Sequence, residues 1–210
     1  MREMYTRMPE QALEGESLQR AVEYHRSRLE TIDALISGAR GRLLEVGCGD
    51  GLFLQMAAER GWRAEGIDPA GKRAERAARS GIQVHVGTVE DAALRGPYDC
   101  VAAWEVIEHQ TSPRAFLRRL RSLVAVGGVL ALSTPNATSI WATILRGGFS
   151  MLCPPEHLSL FSGRALAALA ESEGCRVERI RSFGQILREE VAGRLERSFG
   201  RPASLIAGAL

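Results

Sequence analysis

Glu45-Val46-Gly47-Cys48-Gly49-Asp50-Gly51 follows a short apolar run, Arg42 to Val46, and leads into a helical pattern from about Leu52 to Arg60. A strand, a glycine turn and a helix in that order put the glycines at the carboxyl end of the strand, where ligands bind in open α/β sheets. Glycine lets the backbone turn sharply and approach a ligand without a Cβ, and the amides that open the following helix favour polar or anionic groups. Many buried strand-to-helix turns need glycine for steric reasons alone, so the loop by itself leaves function open.

The unit repeats downstream. Arg63 to Ile67 reads as a strand ending at Asp68, Arg73 to Ser80 as a helix, and Gln83 to Val86 as a strand. Tyr98 to Trp104 is a further strand. A helix over Pro113 to Val124 turns Phe116, Leu117, Leu120 and Leu123 inward, and Gly128 to Ser133 is a fifth strand. A helix over Arg164 to Glu173 and a strand over Arg176 to Ser182 follow, while Leu18 to Ile36 forms a helix upstream. Such alternation predicts an α/β fold, a Rossmann-like three-layer sandwich with a mostly parallel central sheet. Its last antiparallel strand is either absent or supplied by Ala203 to Ala207. The expected organisation is a helical segment over 1–40, a core domain over 41–184 and a helical extension over 185–210. The stretch from Asn136 to Pro155, holding Trp141, Phe149 and Met151, reads as a lid or short helical insertion.

With 210 residues, 45% of them hydrophobic, the chain is long enough for one core. The formal charge of +2 gives no reason to expect nucleic acid. Cys48, Cys100, Cys153 and Cys175 are scattered without Cys-x-x-Cys spacing, as in a reduced cytoplasmic protein. No apolar run of signal-peptide or membrane-spanning type occurs, so contact with a membrane would be peripheral. Arg188, Arg194, Arg197 and Arg201 suit anionic lipid, but Glu189, Glu190 and Glu196 dilute that field and favour a solvated helix.

Asp68 lies about twenty residues beyond the glycines, where nucleotide folds keep a ribose-binding acid; it is equally the kind of residue that caps a helix before Pro69. The dinucleotide fingerprint is Gly-x-Gly-x-x-Gly, whereas this chain has Gly-x-Gly-x-Gly behind an acidic Glu45. A carboxylate there repels a pyrophosphate and attracts an ammonium, which favours an amino acid–nucleoside cofactor.

Leu43 to Gly51, Gly66-Ile67-Asp68, Tyr98 to Val101 with Trp104 to His109, and Val126 to Leu130 together resemble the motifs of the class I S-adenosylmethionine-dependent methyltransferases. The pattern is closest to the branch containing the ubiquinone-biosynthesis O-methyltransferases. The resemblance implies S-adenosyl-L-methionine as cofactor. Glu45, Gly47, Cys48 and Gly49 would lie at its methionine part, Asp68 and Pro69 at the ribose, Val89 and Glu90 at the adenine, and Trp104 in the pocket wall. Arg28 resembles the branch's N-terminal arginine for the cofactor carboxylate, although arginine on a helix is most often a solvated face.

Methyl transfer is an in-line displacement, so much of the catalysis comes from placing the acceptor, and a base is needed only where the acceptor must lose a proton. Glu105, Glu108 and His109 are spaced to share one helical face, with His109 the expected base and Glu105 beside it. His157 can fold back over the same edge. No metal is expected, but Glu105, Glu108, His109 and His157 are the residues that would hold a divalent ion, as similar motifs do in some relatives. His25 and His85 have no evident partners and are expected to be structural or exposed. Phe149, Met151, Leu152 and Phe161 either wall an aromatic or prenylated acceptor or pack the lid. The expected activity is methylation, on oxygen, of a small or lipid-like molecule. The rival readings are an NAD(P)-dependent Rossmann oxidoreductase and a catalytically silent cofactor-binding protein.

Overall fold

The structure, a computed structural model, describes residues 14–36 and 38–182. Its elements run α1 (Gly15–Asp33), β1 (Arg42–Val46), α2 (Leu52–Glu59), β2 (Arg63–Asp68), α3 (Gly71–Ala78), β3 (Gln83–Val86) and β4 (Tyr98–Trp104). A 3-10 turn (Ile107–His109), α4 (Pro113–Leu123), β5 (Val124–Ser133), α5 (Ile140–Leu145) and α6 (Gly163–Ser172) follow.

The five strands form one sheet in the order β3-β2-β1-β4-β5, and every pairing is parallel. Strand order therefore reverses between β1 and β4, and sheets of this kind bind ligands beyond the carboxyl ends of the strands at such a reversal. The period of two along β1 and β4 divides the core. Leu44, Val46, Val101 and Ala103 pack with Phe116 and Leu120 of α4 on one face. Leu43, Cys100 and Ala102 pack with Leu29 and Ile32 of α1 and Phe53 and Leu54 of α2 on the other. Truncating a fully buried leucine such as Leu44 or Leu54 to alanine would cost about 2–5 kcal/mol.

Local chemistry sets the helix ends. Ser112 caps α4 by accepting from the Ala115 amide and Pro113 occupies the first turn, while Ser162 caps α6 through the Ala165 amide. The carboxyl end of α1 is fastened by Asp33, which accepts from Arg40 Nε at 3.1 Å, Arg60 Nη1 at 3.2 Å and Trp62 Nε1 at 3.1 Å.

Among the described residues, 176–182 carry no strand, so the expectation of a strand over Arg176 to Ser182 is corrected: alternation of apolar and charged side chains does not by itself make a strand without a ladder to join. Among the described residues the sheet has no antiparallel strand. β5 begins earlier than expected, with a register irregularity opposite Tyr98 and Cys100. The insertion after β5 holds α5 and a 3-10 turn over residues 146–148. The chain divides into compact units Met1–Glu178 and Arg179–Leu210. Of the second, the structure describes 179–182, which carry no regular structure. The expected helix over 185–210 and the weak strand at Ala203 to Ala207 lie outside the described residues.

Candidate active site

The glycine turn leaves β1 with Gly47 at φ +76°, and a Cβ there would stand 2.6 Å from Val106 Cγ2, so both conformation and space require glycine. The Gly47 and Cys48 amides donate to the Ile67 carbonyl at 2.8 and 3.2 Å, which fastens the turn to β2. Asp68 completes the fastening. Its Oδ2 accepts from the Gly49 amide and its Oδ1 from the Ala70 amide, each at 2.8 Å. The aspartate thus braces the turn, as a capping residue does, and its remaining lone pairs stay at the carboxyl edge of the sheet. Cys48 is buried, and burial with the nearby charges of Glu45 and Asp68 pushes its thiol pKa up, so it packs and does not react. Pro69 is half-buried, Val89 is buried in the core and Glu90 is exposed.

By the period of two, Glu45 emerges on the face that α1 covers. Its Oε2 is buried with no hydrogen-bond partner, and burial holds its carboxyl well above the usual range against the pull of Arg28, with Asp68 adding to the rise. Arg28 is 7% exposed and lies between two rings, 3.8 Å from the centroid of Tyr24 and 4.2 Å from that of Trp104. Its Nη2 donates to Ser133 Oγ at 2.8 Å. Trp104 meets Phe53 edge-on, with centroids 5.3 Å apart, and its buried Nε1 donor has no acceptor. A lone acceptor, a lone donor and a buried cation, gathered beside a cradle that a Cβ would fill, fit a ligand with both an ammonium and a carboxylate, the amino-acid end of the expected cofactor.

Two expectations are corrected here. His25 has partners: its ring packs on Phe53 with centroids 5.5 Å apart, its Nδ1 is 3.4 Å from Arg28 Nη1, and burial together with Arg28 lowers its pKa to about 4. His85 Nε2 lies 2.8 Å from Glu65 Oε1, which also accepts from the Tyr98 hydroxyl at 2.9 Å.

A third correction concerns Glu105, Glu108 and His109, which do not share a helical face. Glu105 takes a left-handed backbone, φ +54°, and only Ile107–His109 winds, as a single 3-10 turn. The turn is held from below by the Leu158 and Ser159 amides, which donate to the Glu108 carbonyl at 2.8 and 3.1 Å. Glu108 is fully buried, with Oε2 accepting from Thr134 Oγ1 at 3.1 Å and Oε1 unpartnered. Burial first, then the charge of Glu105, raises its pKa to about 8. His109 Nδ1 stands 2.8 Å from the Glu156 carbonyl and His157 Nδ1 stands 2.7 Å from the Met151 carbonyl. A carbonyl only accepts, so Nδ1 carries the hydrogen in both rings and Nε2 keeps the lone pair of the neutral imidazole. Burial lowers the pKa of His109.

His157 does fold back: the two rings lie 4.8 Å apart, and Glu108, His109 and His157 bring one potential ligand atom each within 4.8 Å of one another. Glu105 is outside that group, its Oε1 accepting from Ser133 Oγ at 2.6 Å. On the insertion, Phe161 packs on the core beside β5, Phe149 and Met151 are half-buried and Leu152 is exposed. Tyr24, Ser133 and Thr134 were not legible as site residues, since a tyrosine on a helix and a serine and threonine ending a strand carry no motif.

A family model described as a methyltransferase domain matches residues 16–180. The ubiquinone biosynthesis O-methyltransferase of Xanthomonas axonopodis pv. citri (strain 306) is 40% identical over 119 residues, which are 53% of this chain and 50% of that protein. The chain thus spans about half the length of the curated relatives it matches. Among solved structures, an S-adenosylmethionine-dependent methyltransferase from Mesorhizobium loti superposes with a TM-score of 0.63 at 17% identity, over 88% of this chain and 95% of that one. The magnesium protoporphyrin IX methyltransferase of Synechocystis PCC 6803, solved with bound SAH, gives a TM-score of 0.59 at 17% identity over 82% of each chain. These likenesses establish the fold.

Proposed function

The chain belongs to the methyltransferase domain family, of the class I S-adenosylmethionine-dependent kind, and from that premise we propose that it transfers the cofactor's methyl group to an oxygen of a small, lipid-like acceptor. The observation that carries the reading is the buried, unpartnered Glu45 carboxylate oxygen beside a glycine turn that Asp68 braces. Oxygen and a lipid-like acceptor are supported by the curated relatives, which are named ubiquinone biosynthesis O-methyltransferases.

In this reading Arg28 faces the cofactor carboxylate and Glu45 its ammonium, Gly47, Cys48 and Gly49 run along the methionine part, and Asp68 with Pro69 takes the ribose. Val89 and Glu90 border the adenine, and Trp104 walls the pocket. The cofactor supplies an activated methyl on a sulfonium. His109, with its hydrogen fixed on Nδ1, receives the acceptor hydroxyl's proton at Nε2, and Glu105 adds negative charge beside it. Leu152, Phe149 and Met151 offer apolar surface to an acceptor tail.

A second reading is favoured by the grouping of Glu108, His109 and His157. Each imidazole is oriented by a backbone carbonyl, as metal-bound histidines commonly are. A divalent ion held there would orient an acceptor hydroxyl and lower its pKa.

Incubation with methyl-labelled S-adenosylmethionine and a farnesylated phenol tests both readings. Label in the phenol ether with equimolar S-adenosylhomocysteine is the expected result, and label entering only an amine of the same tail would overturn oxygen as the target. Activity that survives EDTA supports His109 as the base, whereas activity lost to EDTA and restored by Mg²⁺ supports the ion.

A further inference from the structure

Ser133, the last residue of β5, stands between two charged groups of the site. Its hydroxyl donates to Glu105 Oε1 at 2.6 Å and accepts from Arg28 Nη2 at 2.8 Å. Chemistry fixes both directions, because a guanidinium only donates and an ionised carboxylate only accepts. Arg28 Nη2 and Glu105 Oε1 are themselves 3.7 Å apart, a loose ion pair beyond hydrogen-bond reach, and the hydroxyl bridges them. Ser133 also holds Glu105 by the backbone, its carbonyl accepting the Glu105 amide at 3.1 Å. Glu105 is the one non-glycine residue with a left-handed backbone among those described, a conformation that persists where the surroundings over-determine it.

The rings of Tyr24 and Trp104 lie 3.8 and 4.2 Å from the Arg28 guanidinium and His25 Nδ1 stands 3.4 Å from its Nη1. The bond to Ser133 adds the restraint on Nη2, the nitrogen that faces Glu105. We propose that Ser133 is a positioning residue: it sets Arg28 for the cofactor's carboxylate and keeps Glu105 from tightening its loose ion pair with the guanidinium into direct hydrogen bonds. Without the hydroxyl, Arg28 and Glu105 collapse together and an incoming carboxylate must compete with Glu105 for the cation. The inference rests on the cofactor reading above.

The test is calorimetric binding of two ligands, S-adenosylhomocysteine and 5′-methylthioadenosine, the second lacking the amino-acid end. For Ser133→Ala, affinity for S-adenosylhomocysteine falls about tenfold or more, as for a lost hydrogen bond to a charged group, while affinity for 5′-methylthioadenosine holds. Ser133→Thr keeps the hydroxyl and retains both affinities. Should Ser133→Ala not fold, Ser133→Cys carries the same expectation, since a thiol is a weak donor. Equal loss of both ligands would mean a merely structural serine and overturn the proposal, as would an unchanged affinity for S-adenosylhomocysteine. A wild-type protein that ignores S-adenosylhomocysteine would instead sink the cofactor reading, and this inference with it.

Discussion

Asp68 braces the glycine turn through the Gly49 amide, and in the proposed reading it also offers lone pairs to the cofactor's sugar. Asp68→Ala should therefore lower S-adenosylhomocysteine affinity roughly a hundredfold, as for two charge-assisted bonds, with the circular dichroism spectrum unchanged. An affinity within twofold of wild type, by calorimetry, would remove Asp68 from the site. His109 gives a second prediction at this scale. Burial lowers its pKa below 6.5, so the basic form predominates at neutral pH. The profile of kcat/KM should rise through a pKa under 6.5 and then level, and His109→Gln should lose that rise. Asp68, Glu45 and His109 could be singled out as candidates because each sits in a short contiguous motif. Ser133 and Tyr24 were not, since what marks them is a partner distant in sequence, Glu105 and Arg28 respectively.

Among the elements, α1 couples the site to stability. It brings Arg28 to the pocket, is fastened at one end by Asp33, and carries His25 against Phe53. The folded pKa of His25 is about 4 against 6.5 for the free side chain, so the unfolded chain holds the extra proton between those values. The stability that His25 confers is complete above about 6.5 and lost as pH falls toward 4. Compared with His25→Gln in urea melts, wild type should gain on the order of 2 kcal/mol between roughly pH 5 and 7. A constant gap across that range would show that His25 is not held neutral. Element identity was legible wherever burial on both faces imposed a pattern, as in β1 and β4. It failed at residues 176–182, where alternation exists but no strand forms among the described residues. It failed again at Glu105, because a spacing of three and four residues is the same whether the backbone continues as a helix or breaks into a left-handed residue and one 3-10 turn.

In the whole molecule, the order β3-β2-β1-β4-β5 gathers what the sequence scatters. The reversal beside β1 brings the glycine turn, Asp68 after β2, Trp104 and Glu105 after β4 and Ser133 after β5 to one edge, with Arg28 arriving from α1. That convergence was legible in outline, because a strand, a glycine turn and a helix in repetition leave little choice of topology. The grouping of Glu108, His109 and His157 was foreseen as a candidate set that also held Glu105, and which of the four come together depends on how the insertion returns, which local pattern does not encode. The account stands or falls on the identity of the nucleoside at this edge. Calorimetric titration of the folded wild-type protein with S-adenosylhomocysteine, beside NADH, tests it most directly. The account predicts saturable binding of S-adenosylhomocysteine at one site per chain and no heat with NADH; a folded protein that takes up NADH and ignores millimolar S-adenosylhomocysteine would contradict it.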